Sequence, residues 1–273
     1  MWVSGYIYYQ ETYEKFLTSI VWPFIQDALK KHYATQFFFI RYVDDKGFHI
    51  SLRLKCEDKI QANKLKKHFR TIFHNYPIRF ISYKPELSRY GGAVSMEIAH
   101  TQAEASSRAI LSRLSENTQW NYTQSIGIAL QLNLVLIHTM GLKRREAIIF
   151  LEQIFSSRFT SEEKQKNTSL FEKTLKKQRA TVLPYLAGLW DALEKDQQFK
   201  EPWFTTWRSD MKIINTRHKK AQKNGQIQFA KNFSLLSLYK IYIHMTNNRL
   251  AIALPDEPFL TYILKESLET IHD

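Results

Sequence analysis

Of the 273 residues only one, Cys56, is a cysteine. An intrachain disulfide and a cysteine-based zinc site are therefore excluded. Cys56 stands one place beyond an alternating strand pattern, where a buried, inert thiol is expected rather than a nucleophile. Glycine is scarce as well, with eight in the chain, and this composition excludes a fibrous or disordered protein. No apolar run approaches the about 18 residues that a membrane-spanning helix needs. The opening Met1-Trp2-Val3-Ser4-Gly5-Tyr6 lacks the basic start of a signal peptide. A soluble, cytoplasmic protein with no membrane association is expected. GxSxG, HExxH, Walker and GxGxxG patterns are all missing, so the hydrolase, zinc-protease and nucleotide-binding readings lose their signatures. Acidic residues are few, 26 against 39 Lys and Arg, for a net charge of +13. This excess favours anionic partners. The lysine-rich stretches 164–179 and 217–223 read as solvated helix faces, and without a helix-turn-helix, zinc-finger or RNA-recognition signature no direct nucleic-acid partner is expected.

What is present is ordered in two styles. The first hundred residues mix strand and helix. Val3–Tyr9 is a short aromatic strand, and Thr12–Lys31 carries an apolar rhythm through Phe16, Ile20, Phe24 and Leu29 that predicts a helix. Gln36–Val43 and Phe48–Lys55 predict a hairpin around Asp44-Asp45-Lys46-Gly47. Lys59–Phe73 reads as a basic amphipathic helix and Ile78–Tyr83 as a further strand before Pro85. From Val94 onward the pattern is almost wholly helical, over 95–115, 119–139, 143–156, 161–195, 203–222, 227–246 and 256–271. Breaks are expected at Gly141, Pro184, Pro202, Gly225 and Pro255. The class is α+β, an N-terminal mixed sheet with helices followed by a mainly helical C-terminal half. The parts 1–105 and 106–273 have no linker composition between them, which predicts one integrated domain.

Three segments hold residues suited to chemistry. Alternation along His49-Ile50-Ser51-Leu52-Arg53 sends Ile50, Leu52 and Leu54 to the core and puts His49, Ser51 and Arg53 on the other face, expected as a polar surface. In the second segment Glu86 and Arg89 stand three apart beside Tyr90 and the Gly91-Gly92 pair. Glu86 can orient the guanidinium for a carboxylate, or the two can form an ordinary loop ion pair. The third segment is His244-Met245-Thr246-Asn247-Asn248-Arg249-Leu250. A histidine in the last turn of a helix is well placed for proton transfer near neutrality, while Asn247, Asn248 and Arg249 suit either a C-cap or a carboxylate hook. His100, His138 and His218 are isolated and read as structural.

Taken together and in order, the Trp2 strand, Phe37-Phe38-Phe39-Ile40-Arg41-Tyr42, the His49–Arg53 strand, the Glu86–Gly92 turn and His244–Leu250 resemble a known family. It is the small, C-terminal elimination domain of lantibiotic dehydratases, also called the thiopeptide-type bacteriocin biosynthesis domain. Residues 115–225 match it in helical character alone. The resemblance implies a lyase that removes glutamate from O-glutamylated Ser or Thr of a ribosomal precursor peptide, giving dehydroalanine or dehydrobutyrine. Glutamylation belongs to a separate, larger domain, so this chain looks like the elimination half of a split dehydratase. Its implied partners are a precursor peptide with a glutamylated core and an acidic leader, and a separate glutamylation protein. By resemblance Arg53, Glu86, Arg89 and His244 align with elimination residues: the arginines for glutamate and developing charge, Glu86 to orient them, His244 for the proton. Arg41, His49, Ser51, Tyr90, Asn247 and Arg249 are the accompanying substrate-binding candidates. No metal or organic cofactor is required.

One departure matters. Family members often read His-x-Arg-x-Arg on the strand, and here Ser51 takes the middle place. Lys55 or Arg41 are the candidates to compensate. The alternatives are a pyridine synthase, which joins two dehydroalanines in a formal [4+2] cycloaddition, and a non-catalytic subunit that binds the precursor peptide.

Overall fold

The computed structural model of the chain describes residues 1–116 and 120–271. The chain divides into two compact units, Met1–Trp120 with Thr216–Ser234, and Asn121–Asn215 with Leu235–Asp273. The α+β class holds, with strands confined to the first hundred residues and helices thereafter.

The first unit is built on strands β1 (Trp2–Tyr8), β2 (Gln36–Asp44), β3 (Gly47–Lys55) and β4 (Ile78–Ile81). They lie in the order β2-β3-β1-β4, and the pairings are antiparallel rather than mixed. Between β1 and β2 a helix runs as α1 (Tyr13–Phe16), a π-helical turn (Leu17–Val21) and α2 (Trp22–Lys30). After the hairpin comes α3 (Lys59–Ile72), whose N-terminus is capped by Asp58 accepting from the Gln61 N–H at 2.7 Å. Register puts Val3 opposite Leu54, Gly5 opposite Leu52 and Ile7 opposite Ile50, with Phe37 and Phe39 on the same face. Against this face pack Phe16, Leu17, Val21, Phe24, Leu65, Phe69 and Phe73, all at most 2% exposed. Gly5 lets the Phe69 ring come close, since a Cβ would stand 3.0 Å from it. The opposite face carries Trp2 and Phe38, which pack on His100 of the long helix α4 (Ala93–Ser115).

The second unit holds α5 (Tyr122–Thr139), α6 (Arg144–Ser156), α7 (Ser161–Leu175), α8 (Arg179–Glu194), most of α9 (Pro202–Lys223), α10 (Leu235–Arg249) and α11 (Glu257–Glu269). Leu130, Leu132, Leu134, Val135, Leu136 and Ile137 are all buried, so α5 is apolar around most of its circumference and forms the centre of the unit. Its start is fixed by a capping box between Asn121 and Gln124. Residue 119 of the expected helix 119–139 lies outside the described residues.

Three expectations change. The helix expected over 161–195 is two helices, and the interruption falls at 176–178 rather than at Pro184. Pro184 sits inside α8, where the burial of Leu183, Leu186, Leu189, Trp190 and Leu193 outweighs the roughly 3 kcal/mol cost of an interior proline. The helix expected from 227 begins only at Leu235, because 226–234 is an irregular segment lying on the Gly91-Gly92 turn. The Gln228 N–H donates to the Gly91 carbonyl at 2.9 Å. The boundary drawn between the parts 1–105 and 106–273 falls within α4, while the helical style begins at Ala93, as expected from Val94 onward.

Gly91 combines φ +82° with a position where a Cβ would stand 2.7 Å from both Ile227 and Phe229. Gly92 has φ +103° but open space around it. Gly91→Ala is therefore expected to lower stability by roughly 2 kcal/mol or more, and Gly92→Ala by less. Urea unfolding of the two variants beside the parent checks this ordering.

Candidate functional site

The predicted site residues fall into a group in each unit. In the first unit, His49, Ser51 and Arg53 share one face of β3, as the alternation required. That face is not a polar surface. His49 is 3% exposed and Ser51 is fully buried. The rings of Tyr6, Tyr8 and Tyr42 surround His49 at centroid distances of 4.5, 4.8 and 5.8 Å. Its Nδ1 lies 3.8 Å from Asp44, which accepts a hydrogen bond from the Tyr8 hydroxyl at 2.9 Å.

Arg53 lies in an aromatic slot. Its guanidinium is 4.3 Å from the centroid of Tyr83 and 5.2 Å from that of Phe38. The Arg53 Nε and the hydroxyls of Ser4 and Ser51 are buried without a hydrogen-bond partner. Ser4 pairs with Arg53 in the β1–β3 register, and Ser51 is two residues along on the same face. Buried polar atoms are normally satisfied, and each orphan costs about 1–3 kcal/mol. Two orphaned hydroxyls beside a partly desolvated cation whose own Nε is orphaned, with no carboxylate pairing with Arg53 among the described residues, make a place that an anionic, hydrogen-bonding group would complete.

Tyr83 extends this group. Its hydroxyl is 2.9 Å from His100 Nε2, and His100 Nδ1 stands 3.6 Å from Glu97, which pairs with Lys55 at 2.8 Å. Burial pushes the Tyr83 hydroxyl up to about 12. Burial, reinforced by the charges of Lys55 and Arg53, pulls His100 down to about 4, so it is neutral at pH 7. Neither Tyr83 nor His100 stood out in the sequence; only the fold brings residue 100 beneath Tyr83. Lys55 is engaged by Glu97.

Arg41 does not join Arg53. It pairs with Ile50 in the β2–β3 register, which assigns it to the other face of the sheet, over the rings of Phe48 and Tyr13 at 4.9 and 5.4 Å. Glu86 and Arg89 are brought together at 3.0 Å on the exposed loop before α4, with side chains 61% and 53% exposed. Tyr90, half-buried, closes that loop with its N–H donating to the Glu86 carbonyl at 3.2 Å.

In the second unit His244 lines an open cleft of about 250 Å³ with Arg158, Lys240, Asn247, Glu257 and Thr261. His244 is not in the last turn as expected, since α10 continues to Arg249. Its Nδ1 is 2.7 Å from Glu257 Oε1, and the other carboxylate oxygen accepts from Arg158 at 3.0 Å. Glu257 is 7% exposed against 40% for His244 and for Arg158. Asn247 is buried, its side-chain oxygen accepting from Asn133 at 2.8 Å. Arg249 is 1% exposed and donates to the Met245 carbonyl at 2.9 Å, within its own helix. Glu257 and Arg158 were missed by sequence reasoning, lying 13 residues after and 86 before His244 with no motif joining them. Cys56 is buried, and burial pushes its thiol up, as an inert cysteine requires.

Solved structures share this fold over nearly the whole chain. The tRNA-dependent lantibiotic dehydratase MibB from Microbispora sp. 107891 matches 98% of it at 17% identity and a TM-score of 0.71. The chain spans only 28% of MibB. TsrL matches 98% at 13% identity and a TM-score of 0.76, with 94% of TsrL covered. TbtD, a pyridine synthase from thiomuracin biosynthesis, matches 99% at 12% identity and a TM-score of 0.74, with 98% of TbtD covered. No curated protein matches the sequence. The model of the lantibiotic biosynthesis dehydratase C-terminal family matches residues 2–268, and the chain belongs to that family. No helix of the described residues is long and apolar enough to cross a membrane.

Burial also fixes a pH response. His100 and His218 are both drawn down to about 4, His218 by burial and by Arg217. An unfolded histidine takes a proton below about pH 6.5, whereas these remain neutral until about 4. Stability is therefore complete above about pH 6.5 and falls as pH drops toward 4, by on the order of 1 kcal/mol per pH unit for each histidine. Urea midpoints between pH 7 and 4 are expected to show this slope, and His100→Gln to reduce it.

Proposed function

We propose that the protein is the elimination component of a lantibiotic-type dehydratase. Its substrate is a precursor peptide whose Ser or Thr side chains carry glutamate, attached by a separate glutamylation protein. The observation that carries this reading is the desolvated Arg53 beside the orphaned hydroxyls of Ser4 and Ser51, a cation and two polar groups left for an anionic ligand, within a chain of this family.

The chemistry follows from elementary requirements. A base takes the Cα proton, the Cα–H electrons form the Cα=Cβ bond, and the Cβ–O bond breaks with glutamate leaving as a carboxylate. Negative charge develops on the adjacent carbonyl and on the leaving group. Arg53 binds and offsets that charge, where partial desolvation strengthens its effect. Arg89, oriented by Glu86, holds a carboxylate of the glutamyl group. The proton-moving role falls, by the family resemblance, to His244, which in the second unit lines an open cleft with Arg158 and Lys240.

Ser51 in place of the family's frequent arginine favours a second reading, pyridine formation from two dehydroalanines, which releases no glutamate and needs fewer cations. A synthetic peptide bearing an O-glutamyl serine separates the two. Incubation is expected to release glutamate, read as mass loss, and Arg53→Ala or Arg89→Ala to reduce the rate at least about 10²-fold, as loss of a charge-stabilising group does. His244→Gln should cost about 10²- to 10⁴-fold. Binding without mass loss, with turnover of a bis-dehydroalanine peptide, would select the synthase.

A further inference from the structure

We propose that Glu257 is a positioning residue that fixes His244 as its Nδ1–H tautomer and so presents Nε2 as the proton-accepting nitrogen of the cleft. The chemical part rests on the elimination reading; the tautomer part rests on geometry alone. A neutral imidazole carries its proton on one nitrogen, and the partner of the other nitrogen selects which. An ionised carboxylate only accepts, so a Glu257 oxygen 2.7 Å from Nδ1 requires the proton there. Nε2 has no protein partner among the described residues and is left with its lone pair.

Glu257 is built for this task. It is the first residue of α11, where the helix dipole favours a negative charge. Arg158 donates to its second oxygen at 3.0 Å, which holds the carboxylate plane in place. Proline follows at position 258 and Thr261 donates to the Glu257 backbone carbonyl at 3.1 Å, anchoring the first turn. The charged groups lining the cleft around His244 are Glu257 of α11, Arg158 just beyond α6, and Lys240 one turn earlier on α10. The two cations lie beside a histidine that must turn positive, and the carboxylate offsets them. When Nε2 takes the Cα proton, the imidazolium forms with its Nδ1–H already directed at an anion. The proton then leaves from Nε2 to solvent or to the departing carboxylate, while Nδ1–H stays on Glu257.

The test uses the whole protein labelled with ¹⁵N at histidine. Long-range ¹H–¹⁵N spectra at pH 9 report the tautomer of each imidazole, and His244→Gln identifies the His244 signals by their loss. The proton is expected on Nδ1 in the parent; a proton on Nε2 would overturn the assignment without recourse to any variant. Glu257→Gln is expected to lose the fixed tautomer and to lower kcat about 10²- to 10⁴-fold with KM unchanged. Its folding is checked by thermal unfolding, and Glu257→Asp should restore part of kcat. A Gln variant that keeps both kcat and the Nδ1–H tautomer would refute the role. If the parent releases no glutamate at all, the elimination reading fails while the spectra still decide the tautomer.

Discussion

Both faces of the four-stranded sheet are covered, and the candidate chemistry of the first unit depends on that constraint. One face is sealed by Phe16, Phe24, Leu65, Phe69 and Phe73, closely enough that a Cβ at Gly5 would stand 3.0 Å from the Phe69 ring. On the other, Trp2, Phe38, Tyr83 and His100 pack together at centroid distances of 4.8 to 5.9 Å. A two-faced sheet with polar residues on its second side has to desolvate them. Ser4, Ser51 and the Nε of Arg53 are thus withdrawn from solvent instead of lying on a solvated surface. An arginine in an aromatic slot keeps its charge but loses much of its water, and its attraction for an anion rises accordingly.

The second unit meets the opposite problem with a different device. A half-exposed histidine is a poor instrument unless something fixes its orientation, because it can rotate and exchange tautomers in water. Glu257 supplies the fixed point, being buried, tied to Arg158 and placed at a helix N-terminus. Asn133 and Asn247 hold the same helix from beneath through a buried amide pair. Arg249 shows how such a region consumes polar residues for structure: it is among the largest fully buried side chains and caps the carbonyl of Met245.

Much of this was legible in the chain, for identifiable reasons. Period-two alternation placed Ile50, Leu52 and Leu54 in the core, and the Asp44–Gly47 turn closed the hairpin, because strand parity and turn chemistry are local. The Glu86–Arg89 pair was legible for the same reason, three residues apart on one loop. The order of the motifs was sufficient to identify the family. Pro184 misled because a proline removes one hydrogen bond, and the apolar face of α8 outweighs it. The stretch 226–234 misled because its contacts are with Gly91, more than a hundred residues away.

The sequence by itself determined the α+β class, the β2–β3 hairpin, the family, and which residue types were available: arginines, one glutamate turn and a late histidine. Those follow from local periodicity and composition. The tertiary structure alone decided which of them are buried and what they meet. It set Arg41 on the face opposite Arg53, buried Arg249, and surrounded Arg53 with Tyr83, Ser4 and Ser51. It also brought Glu257 and Arg158 to His244. Burial and partnership are properties of residues distant in the chain, and no pattern within a strand or helix encodes what will be folded against it.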